Sequence, residues 1–231
     1  MRTWITSDLH LGSRFCQADL FLAFLEAMPP GTTLVLNGDS FDRMCHTLPD
    51  AHRKVLSRLR DESTRRTVIW VRGNHDEVRR LPETLDLPYQ DHFNIPGLLH
   101  AEHGDHFAYE SWLYRAGLRC FRAFHKLVVF CGAEILNVTF FAKRFPHLYE
   151  VLCRHVRTQA FRFAEQKGVR VAVCGHTHFA ETARSGSIHY FNTGTWTEPD
   201  PGFVDVNDTE VTFHRFSATS APEAPHDARI P

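Results

Sequence analysis

Short apolar runs recur along the chain, and five of them end in a cluster of Asp, His, Asn and Gly residues. Runs of this length, rich in β-branched and aromatic residues and closed by turn-forming residues, predict β-strands followed by polar loops. The strand-and-loop segments cover residues 3–12, 34–42, 68–76, 98–105 and 169–178. The pattern therefore predicts five strands that deliver five polar loops.

The apolar spacing between the first strands is helical. Residues 19–28 and 52–59 carry apolar side chains on one face of a helix, and Pro29 and Pro30 end the first of these segments. Strands that alternate with helices predict an α/β layer architecture, in which ligands bind in the loops beyond the carboxyl ends of the strands. The pattern then changes to consecutive strands at 188–192, 203–206 and 211–216.

Residues 111–167 differ from the rest of the chain. They contain ten basic and three acidic residues, a net charge of +7, so the remainder carries −8. They also hold eight of the 19 Phe residues and have apolar positions near helical spacing, which predicts two or three inserted helices. We therefore expect one domain at 1–216 with a helical insertion at about 111–167, and a disordered tail at 217–231 that is rich in Ala, Pro and Ser.

The composition is that of an ordinary globular protein. The 231 residues are 43% hydrophobic and 23% charged, which excludes collagen-like, low-complexity and wholly disordered chains. The net charge of −1 argues against a uniformly basic nucleic-acid binder, so no nucleic-acid partner is expected. Sixteen histidines raise the expectation of a metal site or of acid–base chemistry.

Seven side chains in the polar loops can converge on one point, because loops at the same end of adjacent strands lie side by side. Carboxylate, amide and imidazole ligands without a thiolate suit cations of intermediate hardness, and seven are too many for one tetrahedral zinc. Asp39 is the natural bridge between two cations, and such a pair activates water and clamps the oxygens of a phosphoryl group. The candidate ligands are Asp8, His10, Asp39, Asn74, His103, His176 and His178.

The order and spacing of these residues resemble the calcineurin-like metallophosphoesterases. That family carries Asp-x-His, Gly-Asp, Gly-Asn-His followed by Asp or Glu, a lone His and Gly-His-x-His, and the set is complete and in order from Asp8 to His178. The resemblance implies a four-layer αββα sandwich with a helical lid insertion, and the hydrolysis of phosphoester or anhydride bonds. It also implies two divalent metal ions, with Mn²⁺ as the first choice and Fe, Zn or Co as alternatives.

The resemblance further assigns roles to individual residues. One metal ion takes Asp8, His10, Asp39 and His178, and the other takes Asp39, Asn74, His103 and His176. His75 is then the catalytic residue that protonates the leaving group or stabilises the transition state, and Asp76 orients its imidazole.

Several phrases resemble the branch that contains the UDP-2,3-diacylglucosamine hydrolases, the pyrophosphatases of lipid A biosynthesis. They are Asp-Leu-His-Leu-Gly at 8–12, Asn-Gly-Asp-Ser-Phe-Asp at 37–42, His-Gly-Asp at 103–105 and Asn-Thr-Gly-Thr-Trp at 192–196. In that branch a helical insertion accepts acyl chains, and residues 111–167 occupy the same place. This implies a nucleotide-diphospho-lipid substrate and peripheral contact with an anionic membrane. The lipid A enzymes carry Arg where this chain has His75.

Other basic and acidic residues near the loops have less certain tasks. Asp42 and Asp105 either accept hydrogen bonds from ligand histidines or cap their own loops, and His106 is expected at the rim. As an alternative to accepting acyl chains, the insertion is a pair of helices that packs its Phe residues on the core. The candidates for contacting substrate phosphate are Arg14, Arg43, Lys143 and Arg144.

Alternative functions stay open at this point. They are a phosphodiesterase or phosphatase acting on small nucleotides or other phosphoesters, a protein phosphatase or nuclease, and a scaffold that has lost catalysis. Protein phosphatases of the superfamily carry Glu where this chain has Asp76, and only the insertion is basic enough for nucleic acid. No protein partner is implied. No signal-peptide pattern follows Met1, so we expect a cytoplasmic protein that contacts the inner face of the membrane.

Overall fold

Two β-sheets form the centre of the protein. The computed structural model describes residues 2–42, 48–76, 87–109, 112–130, 138–217 and 230. The strands along the chain are β1 (Thr3–Thr6), β2 (Thr33–Asn37), β3 (Val68–Val71), β4 (Tyr89–Gln90), β5 (Phe93–Ile95), β6 (Leu99–Ala101), β7 (Val171–Cys174), β8 (Glu181–Ser185), β9 (Ile188–Asn192), β10 (Gly202–Val206) and β11 (Val211–Arg215). The helices are α1 (Ala18–Ala27), α2 (Asp50–Ser63), α3 (Asp105–Tyr109), α4 (Trp112–Phe130), α5 (Val138–Lys143) and α6 (Pro146–Lys167).

The first sheet has six strands in the order β11-β10-β1-β2-β3-β4, and the second has five in the order β5-β6-β7-β9-β8. In the first, β1 to β4 are parallel and β10 is antiparallel to both neighbours. In the second, β6, β7 and β9 are parallel, with antiparallel strands at both edges. The strands predicted from the apolar runs are therefore confirmed, whereas the short strands β4, β5 and β8 were not predicted.

The two sheets pack face to face. Apolar side chains from both, among them Ile5, Val35 and Val171, fill the space between them. Helices α1 and α2 cover the outer side of the first sheet, and α6 covers that of the second. Because both faces of a central strand are covered, β1, β2 and β7 are buried at every position, and their inner positions are mostly apolar. The predicted four-layer α/β sandwich is confirmed.

Helices α4, α5 and α6 lie between β6 and β7, in the segment where the sequence predicts a helical insertion. Pro146 begins α6, and Gly168 ends it with a φ of 66° and a backbone N–H that bonds to the last turn. Along α6, Phe161 and Phe163 pack against the second sheet. None of the helices among the described residues is long and apolar enough to cross a lipid bilayer.

The end of the chain departs from the expected disordered tail at one residue. Ile230 is buried and exchanges two backbone hydrogen bonds with Val211, so it extends the edge of the first sheet. The rest of the tail after residue 217 lies outside the described residues, and so does Arg43.

Candidate metal centre

The loops after five strands meet at one edge of the sandwich. Asp8 and His10 follow β1 and His178 follows β7, and the ligand atoms of these three side chains all lie within 4.8 Å of one another. His178 Nε2 is 3.1 Å from Asp8 Oδ1 and 2.9 Å from His10 Nε2. These three side chains therefore form one buried group of nitrogen and oxygen donors.

A second group lies beside the first. His103 Nε2 is 3.2 Å from Asp39 Oδ2, and His176 Nδ1 is 2.9 Å from Asn74 Oδ1. The rings of His103 and His176 meet edge to face at 5.3 Å. Asp39 Oδ2 is also 4.0 Å from His10 Nε2 in the first group, so one carboxylate oxygen faces both groups.

Both carboxylates use one oxygen to fix their position and present the other to the site. Asp8 Oδ2 accepts hydrogen bonds from the Ser7 hydroxyl and from the His176 backbone N–H, whereas the buried Oδ1 has no hydrogen-bond partner. Asp39 Oδ1 accepts from the His75 backbone N–H at 2.8 Å, which leaves Oδ2 facing the imidazoles. An orphaned carboxylate oxygen inside a protein is costly unless a positive charge compensates it.

The imidazole of His103 is likewise fixed by one ring nitrogen and presents the other to the site. His103 donates its Nδ1–H to the Asn37 carbonyl at 3.2 Å, so Nε2 is left without a hydrogen bond beside Asp39. A histidine whose second nitrogen is fixed in this way is typical of metal ligands. Unpartnered buried donors of N and O type fit two divalent cations of intermediate hardness, as the sequence predicts.

The backbone is strained where the candidate ligands lie. Among the described residues other than glycine, six have positive φ, and five of these are candidate ligands with φ between 50° and 65°. The left-handed region costs an L-residue about 1–2 kcal/mol, although Asp and His tolerate it better than most. The five residues are Asp8, His10, Asp39, His176 and His178. Strain concentrated on one set of polar residues indicates that the fold holds them for function.

Two glycines of the ligand motifs allow the loops to approach each other. A side-chain carbon at Gly73 would lie 2.1 Å from the backbone nitrogen of Asp39, and one at Gly175 would lie 2.2 Å from Asp8 Oδ2. Neither position can hold a larger residue without displacing a carboxylate. The glycines in Gly-Asn-His-Asp and Gly-His-x-His are therefore required by close packing.

The buried carboxylates keep two imidazoles charged. Burial opposes the charged form of His10, but the nearby carboxylates of Asp42 and Asp8 outweigh burial and raise the pKa of His10 to about 9. Burial likewise opposes the charge on His103, whereas Asp39 and Asp8 raise its pKa to about 10. Both histidines are protonated at pH 7 as long as no cation replaces their protons.

The pKa values of four other groups of the centre, two carboxyls and two imidazoles, are lowered. Burial disfavours the ionised form of Asp8, but the charge on His103 holds the pKa of Asp8 well below its usual range. The pKa of Asp39 is also held below its usual range, because the charge on His103 outweighs the effect of burial. Burial and the charge on His103 lower the pKa of His176 to about 4, and burial lowers that of His178. These two imidazoles are ready to bind a cation without losing a proton.

Cation binding should therefore release protons. Because His10 and His103 are protonated at pH 7 and must be neutral to act as ligands, we expect loading of both positions to release about two protons per chain. Apparent affinity should fall as the pH falls below the pKa values of about 9 and 10. Calorimetric titration in buffers of different ionisation enthalpy measures this number, and a release of no protons at pH 7 would contradict the assignment.

His75 lies at the rim of the centre, and its imidazole is paired differently from the prediction. The side chain is 40% exposed, with Nε2 4.0 Å from Asp39 Oδ2. Its Nδ1 lies 3.2 Å from the Asp42 carbonyl and 3.5 Å from the Asp42 carboxylate, which also lies 3.6 Å from His10 Nδ1. Asp42 thus lies between two imidazoles, so of its two predicted roles the contact with histidines is the one observed.

The Asp76 carboxylate connects two loops of the site. Its carboxylate accepts hydrogen bonds from the backbone N–H groups of Phe41 and Gly73 and from the indole of Trp70. It therefore ties the loop after β3 to the loop after β2. The prediction that Asp76 orients His75 does not agree with these contacts, because sequence adjacency does not determine in which direction a side chain points.

Several supporting residues were not predicted as site residues. The Ser7 hydroxyl contacts both Asp8 and Thr193, and Asn192 donates to the Gly175 carbonyl. The phrase Asn-Thr-Gly-Thr-Trp at 192–196 was singled out only as a family resemblance. Its polar side chains brace the loops after β1 and β7, and the Trp196 backbone N–H bonds to the Asp8 carbonyl at 3.0 Å.

The insertion also holds one ligand loop in place. The Tyr149 hydroxyl donates to the Thr177 carbonyl, and Lys143 Nζ donates to the His178 carbonyl at 3.0 Å. Lys143 uses its other hydrogens on the two Glu198 oxygens, at 2.6 and 2.5 Å. Its ammonium group is therefore fully engaged, which differs from the predicted contact with substrate phosphate.

The remaining predicted phosphate contacts are on the surface. Arg14 is exposed and its guanidinium stacks on the Phe15 ring at 4.9 Å, and Arg144 is exposed at the end of α5. His106 is 46% exposed in the side chain and lies outside the group of ligands, as expected. Asp105 is the first residue of α3, and its charge helps to raise the pKa of His103.

Several solved structures are similar to this chain over most of its length. Yfce, a phosphoesterase from E. coli, is 20% identical over 97% of each chain, with a TM-score of 0.50. Vps29 complexed with Zn²⁺ from Entamoeba histolytica is 18% identical, covering 100% of this chain and 98% of its own, with a TM-score of 0.49. A novel archaeal phosphodiesterase is 14% identical, covering 93% and 99%, with a TM-score of 0.46. At these identities the likeness concerns the fold alone.

Sequence comparisons identify the family. The search against curated proteins found no match. The model of the family described as calcineurin-like phosphoesterase matches residues 1–180, which cover all the candidate ligands and more than half of the chain. The chain belongs to the calcineurin-like phosphoesterase family and is a phosphoester hydrolase.

Proposed function

We propose that the protein uses two divalent cations to hydrolyse a pyrophosphate or phosphoester bond of an amphipathic substrate at an anionic membrane surface. The first candidate substrate is a nucleotide-diphospho-lipid of the UDP-2,3-diacylglucosamine type. One observation carries the proposal: the exposed large apolar side chains of the described residues are concentrated on the insertion, which also contacts a ligand loop of the metal centre.

The residues around the cations would have defined tasks. Asp8, His10 and His178 would hold one cation, and Asn74, His103 and His176 the other, with Asp39 between them. Bound cations would supply Lewis-acid stabilisation of phosphoryl oxygens and lower the pKa of water. The carboxylates and imidazoles of the chain fix the position of the phosphoryl group, and the strained backbone prevents the donors from rotating away.

His75 would complete the reaction by moving a proton. When the phosphorus–oxygen bond to the leaving group breaks, that oxygen needs a proton, and protonated His75 can donate it from Nε2. The contacts of Nδ1 with Asp42 orient the ring. The 40% exposure of the side chain leaves room for a leaving group on its open side.

A cavity of about 720 Å³ extends from His178 toward the insertion. This volume suits a ligand of nucleotide size. Four acidic and three basic side chains line it, and Lys143 pairs with Glu198 and Arg157 with Glu181. A lining without a free excess of positive charge suits the neutral sugar or nucleoside part of a substrate, whose phosphates would lie on the cations.

An apolar surface extends along the insertion; we call it the insertion face. On α4 it comprises Phe124, Leu127 and Phe130, spaced three residues apart, and Phe130 is 87% exposed. At the start of α6 the same spacing recurs in Phe145, Leu148 and Val151. Aromatic contacts join the two parts, because Phe124 and Phe145 both pack against the ring of Phe141.

Exposed cations accompany the insertion face. On α4, the exposed Lys126 and Arg119 lie about one and about three turns before Phe130. Arg144 is exposed just before α6, whereas the exposed Arg154 pairs with Glu150. Apolar side chains flanked by basic ones are typical of helices that lie in the interface of an anionic membrane, where each Lys or Arg contributes about 1 kcal/mol. An anionic lipid surface is therefore the occupant that this face fits.

The vesicle experiment tests the membrane part of the proposal. We expect the protein to sediment with phosphatidylglycerol vesicles and not with phosphatidylcholine vesicles. Replacing Leu127 and Phe130 by Asp should weaken binding at least tenfold, since each buried apolar side chain contributes about 1.5–3 kcal/mol. Lys54→Gln combined with Ser57→Asp, at exposed positions on α2, changes the net charge by the same two units elsewhere and should have no effect. Equal binding to both kinds of vesicle would contradict the proposal.

The substrate assay tests the chemical part. The Mn²⁺-loaded protein is given UDP-2,3-diacylglucosamine, UDP-glucosamine or bis(p-nitrophenyl) phosphate, and UMP or nitrophenol release is followed. We expect UMP from the acylated substrate at a rate at least tenfold above that from UDP-glucosamine, because the insertion face contributes binding energy only to the acylated one. Equal rates would favour the second candidate, a phosphodiesterase of small substrates, which the presence of His75 instead of Arg also favours.

A further inference from the structure

The cavity beside the metal centre contains an aromatic ring that the sequence pattern does not single out. Phe179 directly follows the candidate ligand His178 along the chain and lines this cavity. His178 is 7% exposed, whereas Phe179 is 44% exposed, so its ring is open to the cavity rather than packed in the core. Adjacent Cα atoms lie about 3.8 Å apart, which places Phe179 next to the metal centre. An exposed ring at such a place is a contact surface for a substrate.

The insertion holds the Phe179 ring in position. The rings of Tyr149 and Phe179 are perpendicular, with centroids 6.0 Å apart. The Tyr149 hydroxyl also donates to the Thr177 carbonyl, so one residue of α6 supports both the ring and the loop that carries His178. A perpendicular contact covers at most one face of a ring, which agrees with the exposure of Phe179. The ring is therefore supported from one side and accessible to a ligand.

Arg215, at the end of β11, supplies a polar group in the same cavity. Its guanidinium donates to the carbonyl of Ala180 at 3.0 Å and to that of Asp200 at 3.1 Å. The first of these bonds fixes the guanidinium beside the residue that follows Phe179 in the chain. Lys143 and Arg157, the other cations of the cavity, pair with carboxylates, whereas these two contacts of Arg215 are with neutral carbonyls. The guanidinium has further N–H groups with which to bind a ligand.

We propose that Phe179 and Arg215 form a subsite for the base of a nucleotide substrate. The base stacks on the Phe179 ring, and Arg215 donates a hydrogen bond to a carbonyl oxygen of the base. This inference rests on the proposed function, because it assigns the nucleoside part of that substrate to two side chains. Stacking on an aromatic side chain accepts any base, whereas a guanidinium donor favours bases that carry a carbonyl oxygen.

The lining of the cavity favours a base over an acyl chain. The carboxylates of Glu181, Glu198 and Asp200 contribute to the walls, and burying an acyl chain against charged groups would leave them poorly solvated. A base presents a flat apolar face together with polar edges, which suits one aromatic ring surrounded by polar side chains. The order of the residues also agrees, since a base lies one ribose away from the phosphate and Phe179 lies one residue away from His178.

Analogues that resist hydrolysis test the subsite. The compounds α,β-methylene-UDP, α,β-methylene-ADP and methylenediphosphonate share the diphosphonate group, and only the first two carry a nucleoside. Each is titrated calorimetrically into the full-length chain at a constant excess of Mn²⁺. We expect both nucleotides to bind at least fivefold more tightly than methylenediphosphonate, because stacking of one base contributes about that factor or more.

Substitutions at position 179 separate stacking from apolar contact. Phe179→Leu keeps an apolar side chain but has no ring, so it should remove most of the advantage of both nucleotides over methylenediphosphonate. Phe179→Tyr keeps the ring and is the matched control, which should bind all three compounds as the unmodified protein does. Equal binding of the three compounds to the unmodified protein, or full nucleotide affinity in Phe179→Leu, would overturn the proposal.

The two nucleotides report on Arg215 separately. Uracil carries carbonyl oxygens and adenine has none, so Arg215→Ala should weaken binding of α,β-methylene-UDP about fivefold and leave α,β-methylene-ADP unchanged. An equal loss for both would overturn the role of Arg215 and indicate that it only supports the loop. Lack of binding by all three compounds would overturn the proposed cations together with the subsite. Nucleotide binding that depends on Phe179, without hydrolysis of UDP-2,3-diacylglucosamine, would support the subsite and refute only the lipid substrate.

Discussion

Asp39→Asn should reduce kcat/KM by about 10³-fold. The Asp39 carboxylate faces His103 at 3.2 Å and His10 at 4.0 Å through the same oxygen, so it touches both groups of donors. Cations stabilise the transition state by several kcal/mol, and a loss of about 4 kcal/mol corresponds to about 10³-fold. Asparagine keeps the shape of the side chain and removes the charge.

The metal content of this variant is the second measurement. We expect fewer than two Mn²⁺ ions per chain at concentrations that saturate the unmodified protein. Asp205→Asn is a matched control, since this buried carboxylate pairs with Arg2 outside the site and should affect stability alone. Full activity with unchanged metal content in Asp39→Asn would refute the assigned centre.

His75→Gln should reduce kcat by about 10²- to 10⁴-fold, the range expected for loss of a general acid. Metal content should not change, because the hydrogen bond that orients Asp39 comes from the His75 backbone N–H at 2.8 Å and survives the substitution, whereas the imidazole is 4.0 Å from Asp39 Oδ2. The loss should be larger for an alkyl leaving group than for p-nitrophenol, which leaves readily without a proton. The ratio of the two rate losses is the measurement.

His75→Arg distinguishes the two catalytic roles considered for this residue. Arginine retains a positive charge but holds its proton at neutral pH. If His75 acts as an acid, the arginine variant should resemble His75→Gln. Recovery of activity by arginine would instead favour charge stabilisation, and an equal loss for both leaving groups would argue against proton donation. His92→Gln, at an exposed position after β4, serves as the control for His-to-Gln substitution.

The architecture could be predicted because buried strands have a simple signature. Strands β1, β2 and β7 are covered on both faces, so adjacent apolar residues such as Trp4-Ile5 and Leu34-Val35-Leu36 replace the alternation of a half-exposed strand. The short edge strands β5 and β8 are only partly buried and lack that signature. Residue 230 joins a sheet through backbone hydrogen bonds, which the Ala- and Pro-rich composition of the tail does not reveal.

The candidate ligands could be named from residue type and order, but their orientation could not. Whether Asp42 or Asp76 faces His75 depends on loop conformation, and the more distant residue along the chain makes the contact. The left-handed backbone of the ligands likewise has no sequence signature, since Asp and His also occur in ordinary turns. The roles of Gly73 and Gly175 became clear only from the atoms that approach them.

The bonds from the insertion to the ligand loop limit how this enzyme can evolve. Tyr149 and Lys143 belong to the insertion, which carries the exposed apolar side chains, yet they bind the backbone of Thr177 and His178. A deletion or exchange of the insertion would therefore remove two supports of the loop that carries His178, together with the insertion face. New specificity would have to arise by small changes that preserve both bonds, so the insertion cannot be exchanged as an independent module.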